Sequence, residues 1–206
     1  YDYQEKLMPA LKELVTDPAK RLAIMALSTG VGKTYMSLEL MRRTNSSFGI
    51  LAPKPTLYSW KKSAEVAGVA PKFLWNPEAV RTGNKNQLVK KISNSNYDWI
   101  GLNEGDVVII DEVHRYGSPD SQMAFMAACL AKKNIRVVAL SATLSSSPLR
   151  LRFLLNHARQ VPWNSFYAWC KSKGCARSTI IQGSPWMPPP PRLCKQVMGE
   201  VHDMLF

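Results

Sequence analysis

The sequence has no apolar run of the roughly 18 residues that crossing a bilayer requires, and its first residues lack the charged-then-apolar order of a secretory leader. A soluble, intracellular protein without a membrane partner is therefore expected, cytoplasmic in a bacterial or phage-infected cell or nuclear in a eukaryotic one. Methionine is missing from position 1, where Tyr1 stands, so an upstream segment is expected. Cysteine is scarce. Cys129, Cys170, Cys175 and Cys194 show no C-x-x-C spacing, which argues against a disulfide framework and for reduced thiols. A zinc site drawn from Cys170, Cys175, Cys194 and His202 matches no common ligand template. Acid is the charge in short supply: 206 residues carry 27 Lys+Arg against 15 Asp+Glu, a net +12. That excess fits a polyanionic partner, most simply nucleic acid, with a solvated basic surface as the plain alternative. The bias is densest in residues 151–206, where seven basic residues face two acidic ones. This part is expected to lie along a phosphate backbone.

Apolar content is ample, at 46% of the chain, enough for one substantial core. Apolar runs without alternation mark strands at Leu22–Leu27, Phe48–Ala52, Val107–Ile110 and Ile135–Leu140, with a weaker one at Phe73–Trp75. Helical patterns lie between them, as in Met36 and Leu40, or Met123, Met126, Ala127 and Leu130. Such an alternation predicts an α/β fold over residues 1–144, a doubly wound, mostly parallel sheet with helices on both faces. A helical extension is expected over 145–182. Ser147-Pro148 opens it, Leu151, Leu154, Leu155 and Ala158 share one face, and Trp163, Phe166, Tyr167 and Cys170 repeat the spacing. From Gly183 the text reads GSPWMPPPP, a stiff, extended linker or a proline-rich ligand leading into a following segment over 183–206.

Two stretches carry chemistry. In LSTGVGKT, Leu27 to Thr34, a strand runs through a glycine-rich turn into a helix, although leucine stands where the general phosphate-loop pattern starts with glycine. Backbone amides and the positive helix end converge there on one point, Gly30 and Gly32 permit close approach, Lys33 offers a charge to β- and γ-phosphates, and Thr34 a hydroxyl to Mg²⁺. The second stretch is Asp111-Glu112-Val113-His114 at the end of an apolar run. Asp111 is expected to hold Mg²⁺ and Glu112 to orient and deprotonate the attacking water.

STGVGKT, then DEVH, then SAT at Ser141-Ala142-Thr143, in this order and at these spacings, resemble the first RecA-like P-loop NTPase domain of superfamily 2 helicases and translocases of the DExH type. Phosphate loops in that family commonly lack the leading glycine. The resemblance implies ATP and Mg²⁺ as cofactors, with Thr29, Gly30, Val31, Gly32, Lys33 and Thr34 around the nucleotide and Thr34 and Asp111 on the metal. It implies that Gln4 reads the adenine edge, with Tyr3 stacking, and that His114, Ser141 and Thr143 couple the nucleotide to nucleic acid. Ile50 to Glu65, ILAPKPTLYSWKKSAE, is similar to the Swi/Snf-type segment in which a loop after a strand touches a nucleic-acid backbone, here at Pro53, Lys54 and Thr56. Trp60, on the next helix, is a core residue or a stacking platform. The third motif departs from the Swi/Snf form by keeping SAT. The family also needs arginines from a second RecA-like domain, and no matching motif occurs before Phe206. The implied protein is an ATP-dependent motor on nucleic acid, expected to be DNA, whose second domain comes in cis or in trans. The ATPase portion of a viral DNA-packaging motor and a non-catalytic nucleic-acid-binding module are the alternatives.

Overall fold

The computed structural model describes residues 2–82, 88–182 and 185–205, and only the backbone of Tyr3. In chain order the elements are α1 (Asp2–Thr16), β1 (Leu22–Ala26), α2 (Lys33–Thr44), β2 (Phe48–Leu51), α3 (Leu57–Ala67), β3 (Leu74–Trp75), α4 (Pro77–Thr82), β4 (Lys90–Ser93), β5 (Asn96–Asp98), β6 (Val107–Ile110), α5 (Gln122–Lys132), β7 (Arg136–Ser141), α6 (Arg152–His157), α7 (Phe166–Ser172), β8 (Ala176–Arg177), β9 (Trp186–Met187) and α8 (Pro191–Leu205). Five strands form one sheet in the order β1-β7-β6-β2-β3, every pair parallel.

The missing alternation in the central strands has a direct cause. Val107, Val108, Ile109 and Ile110 are all fully buried because both faces of the sheet are covered. Val107 and Ile109 join Met36, Leu40, Trp60 and Ala64 in the core under α1, α2 and α3. Val108 and Ile110 join Met126, Leu130, Phe153 and Leu155 in the core on the other face. The register then decides what meets at the carboxyl ends of the strands. Ile110 pairs with both Leu51 and Ala139, and Ala26 pairs with Ser141. Residues 27–34, 53–56, 111–114 and 141–143 therefore all emerge from the same edge of the sheet, the edge where open α/β sheets bind ligands.

Strand ends differ from the sequence reading by about one residue, and two short hairpins, β4–β5 and β8–β9, carry no sequence signal strong enough to predict them. Most of β4 is exposed, so it has no apolar periodicity to read. At the chain's end, Pro188 to Pro190 stay outside any helix, but Pro191 occupies the first position of α8, where its missing N–H costs nothing. The helix lies back on the body, burying Val197 and Val201 in the second core. A column of flat groups tethers the β8–β9 hairpin. The Arg152 guanidinium lies 5.2 Å from the Tyr167 ring, Tyr167 stacks on Trp186 at 5.0 Å, and Arg177 covers Trp186 at 5.7 Å. Arg152 also pairs with Asp120 at 2.8 Å, and the Tyr167 hydroxyl donates to the other oxygen of the same carboxylate. Among the described residues, no helix is long and apolar enough to cross a membrane.

Candidate active site

The glycine loop leaves β1 and enters α2 at Lys33. Gly30 and Gly32 sit at φ +80° and +83°, left-handed geometry that costs a residue with a Cβ about 1–2 kcal/mol. No side chain caps α2 at Gly32, so the first amides of this 12-residue helix have no acceptor from the helix itself and can take phosphate oxygens. Lys33 Nζ donates to the carbonyls of Leu27 at 2.7 Å and Ser28 at 2.9 Å. Leucine at position 27 is thus compatible with the loop: its carbonyl holds the lysine while its side chain packs against the core under α1 and α2.

Gln4 approaches this loop from α1. It is buried, and its Nε2 donates to the Val31 carbonyl at 3.0 Å. A Cβ placed on Gly32 would stand 2.6 Å from the same nitrogen. Arg43 ties α1 to α2 by pairing with Glu5 (2.6 Å) and with Glu39 (2.6 Å). Glu39 is nearly buried, and the Arg42 guanidinium, helped by Arg43, holds its carboxyl down at about 2.

At the end of β6, Asp111 N donates to the Leu51 carbonyl at 2.9 Å. Both oxygens of its carboxylate are occupied by donors: Oδ1 accepts from Glu112 N at 3.0 Å, and Oδ2 accepts from the indole Nε1 of Trp60 at 2.9 Å. Trp60 is a core residue rather than a stacking platform, and its indole N–H also serves this carboxylate. A buried indole N–H needs an acceptor, but nothing in the local sequence says that the acceptor is a carboxylate 51 residues away. Glu112 adopts φ +53°, ψ +51°, a left-handed position that is costly for a non-glycine residue and frequent at functional sites.

His114 and Ser141 complete the edge. His114 Nδ1 lies 3.1 Å from Glu112 Oε2 and 3.2 Å from Ser141 Oγ. Ser141 gives its own proton to the Thr143 carbonyl and accepts from Thr143 N. Its oxygen must therefore accept from His114, which places a proton on Nδ1 shared between Ser141 and Glu112. Ser141 thus meets the second motif at His114. Thr143 takes part through its backbone. The stacking role for Tyr3 concerns a side chain outside the described residues.

Beyond β2, Lys54–Thr56 forms a 3₁₀ turn with Lys54 exposed and Pro53 and Thr56 half-buried. Thr56 donates both its amide (2.9 Å) and its hydroxyl (3.0 Å) to the Pro53 carbonyl. The hydroxyl proton is engaged in closing the turn, so Lys54 is the group that offers a phosphate a charge.

Thr34 and Asp111, which the phosphate loop and the end of β6 bring to the same edge of the sheet, carry oxygen donors that would suit Mg²⁺, and Mg²⁺ needs no more than one or two carboxylates when phosphates complete its shell. Among the described residues no group of three or more His, Cys, Asp or Glu is placed to hold a metal, so the zinc site drawn from Cys170, Cys175, Cys194 and His202 is not formed. Cys170 and Cys175 are buried packing residues, and burial pushes the Cys170 thiol up to about 12.

Residues 1–146 match the model of the family described as type III restriction enzyme, res subunit. The chain belongs to that family. As a res-subunit relative, it is a superfamily 2 helicase-type ATPase domain with a RecA-like fold. A protein of Acanthamoeba polyphaga mimivirus that carries the provisional name ATP-dependent RNA helicase is 26% identical over 178 residues, covering 74% of this chain and 33% of the relative. The SWI2/SNF2 ATPase core of Sulfolobus solfataricus, solved in complex with double-stranded DNA, superposes with a TM-score of 0.60 at 12% identity, over 99% of this chain and 43% of that one. At that identity the likeness speaks for the fold alone. The chain spans about a third of the curated relative and less than half of the solved core.

Proposed function

We propose that this res-subunit relative is the N-terminal ATPase half of a nucleic-acid helicase or translocase, coupling Mg·ATP hydrolysis to movement along DNA. The observation that carries the reading is the convergence at one sheet edge of the Lys33 loop, the Asp111–Glu112 pair and the His114–Ser141 contact, with the Lys54 turn emerging from the neighbouring strand β2. In this reading the amides of residues 29–34 and Lys33 bind the phosphates, and Thr34 and Asp111 hold Mg²⁺, which neutralises charge on the transferred phosphoryl group. Glu112 takes the proton of the attacking water, and its contact with His114 ties that proton acceptor to the third motif. Gln4, already at the loop, reads the adenine edge. Pro53, Lys54 and Thr56 meet the nucleic-acid backbone, and exposed Arg150, with exposed Arg177 in the basic C-terminal part, extends the positive surface. A second RecA-like domain, in cis or in trans, supplies the arginine that compensates transition-state charge, a contribution of about 10³ or more. Residues 1–144 form the motor core and 145–182 its helical extension, while α8, expected to belong to a linker and a following segment, packs back on the body through Val197 and Val201.

The match to helicase-type proteins favours this over a viral packaging ATPase. The test is ATP turnover by the full-length protein with and without nucleic acid. Stimulation by double-stranded DNA, and its loss in Lys33→Ala and Glu112→Gln, is expected. Turnover unaffected by either substitution would overturn the site, and stimulation by RNA but not DNA would replace the track.

A further inference from the structure

Trp60 is 1% exposed, yet its one polar atom is spent on a carboxylate: Nε1 donates to Asp111 Oδ2 at 2.9 Å. A hydrogen bond to a carboxylate is among the stronger contacts a side chain makes. Its position in the chain gives it a second meaning. Trp60 lies in the first turn of α3, and α3 starts at Leu57, directly after the Lys54–Thr56 turn. Thr56 closes that turn twice onto the Pro53 carbonyl, and Leu57 N bonds to the Lys54 carbonyl. Turn and helix are therefore one hydrogen-bonded body. At the other end of the contact, Asp111 Oδ1 accepts from the amide of Glu112, the residue held in left-handed geometry.

A displacement of the Lys54 turn thus has a continuous, short route inward. Such a displacement would tilt the start of α3, move the indole N–H, and reorient the Asp111 carboxylate together with the Glu112 backbone hung on it. We infer that Trp60 is a positioning residue that couples engagement of nucleic acid at residues 53–56 to the orientation of Asp111, and so to the metal affinity of the nucleotide site. The inference rests on the proposed function, because it takes Asp111 as the metal-holding residue and Lys54 as a phosphate contact. It adds the link between them.

The test uses the full-length protein and Trp60→Phe, which deletes the donor and keeps an aromatic ring. Binding of a fluorescent ADP analogue is titrated with and without Mg²⁺, in the presence and absence of a DNA duplex, and ATP turnover is measured in parallel. In the wild type, Mg²⁺ is expected to strengthen nucleotide binding and DNA to strengthen it further. In Trp60→Phe the Mg²⁺-dependent gain should shrink by about tenfold, as expected for one lost charge-assisted hydrogen bond. The extra gain from DNA should disappear, and DNA stimulation of turnover should fall towards none, while DNA affinity without nucleotide stays within about twofold because the Lys54 turn is untouched. A purely structural role for Trp60 would lower stability without separating the Mg²⁺-dependent gain from metal-free binding. Retention of both gains in Trp60→Phe overturns the inference. Asp111→Asn, run alongside, keeps the two levels apart: an undiminished Mg²⁺ gain in that variant removes Asp111 from the metal, and the underlying reading fails with it. Should Trp60→Phe not fold, the indole ¹⁵N signals of the wild type carry the test. The Trp60 signal, identified by its displacement in Asp111→Asn, should move on adding Mg·ADP and again on adding DNA. A signal that responds to neither refutes the coupling.

Discussion

Acidification from pH 7.5 to 5 should loosen this fold through a single histidine. His157 in α6 is fully buried, and its Nε2 lies 3.0 Å from the Ile135 carbonyl. Because a carbonyl only accepts, Nε2 carries the proton of the neutral ring, and a second proton has to enter on buried Nδ1. Burial, with the Arg21 charge adding to it, depresses the pKa from 6.5 to about 4. Between those two values the unfolded chain binds a proton that the folded chain refuses. The stability contribution is therefore complete above pH 6.5 and is lost as pH falls towards 4. The whole separation is worth about 3 kcal/mol, of which about 2 kcal/mol is gone by pH 5. For a domain of this size each kcal/mol moves the melting temperature by roughly 2–4 °C, so a fall of roughly 4–8 °C is expected from this group. The assay is urea unfolding at several pH values between 7.5 and 5, comparing wild type with His157→Gln, whose amide can still donate to Ile135 but does not titrate. The variant should start less stable at pH 7.5 and lose about 2 kcal/mol less on going to pH 5. Glu39 and Asp106, held down by their cationic partners, lose their contributions below the ordinary carboxylate range and so mainly outside this window. Equal losses in the two proteins would refute the reasoning.

The loop glycines should differ in a way that their shared backbone geometry does not predict. Gly30→Ala meets nothing within 4 Å and bears only the strain of positive φ, whereas Gly32→Ala also meets Gln4 Nε2 at 2.6 Å. Nucleotide affinity should fall more in Gly32→Ala, by about tenfold for each 1.4 kcal/mol of added conflict, and the excess should vanish in a Gln4→Ala background. Equal losses in both backgrounds would separate Gln4 from the loop. Glu39→Gln should cost about 2 kcal/mol at pH 7, less than the shift to about 2 would imply because its arginine partners are 35% and 55% exposed. A depressed carboxyl stabilises fully above its ordinary pKa, so the gap between variant and wild type, read from melting curves, should close as pH drops from 4.5 towards 2.

Much of the fold was legible because it is written in short windows. A strand buried on both faces reads as an unbroken apolar run, and Val107–Ile110 is found where that run lies. Gly30, Gly32 and Lys33 could be read together because their geometry is set by neighbouring residues: positive φ at the glycines, then the bare start of a helix. Helix α8 was hidden by the prolines before it, although Val197 and Val201 stand one turn apart on its buried side. Residues 111–114 and 141–143 could be read as strand ends carrying carboxylates and hydroxyls. Their partners could not. Gln4 meets Val31 across 27 residues, His114 meets Ser141 across 27, and Trp60 meets Asp111 across 51. Local order along the chain determines which chemical groups arrive at the edge of the sheet, because each motif shapes its own backbone. How those groups face one another is decided by the strand order β1-β7-β6-β2-β3 and by the packing of α1 and α3 across it. An indole and a carboxylate find each other only when the same core closes over both.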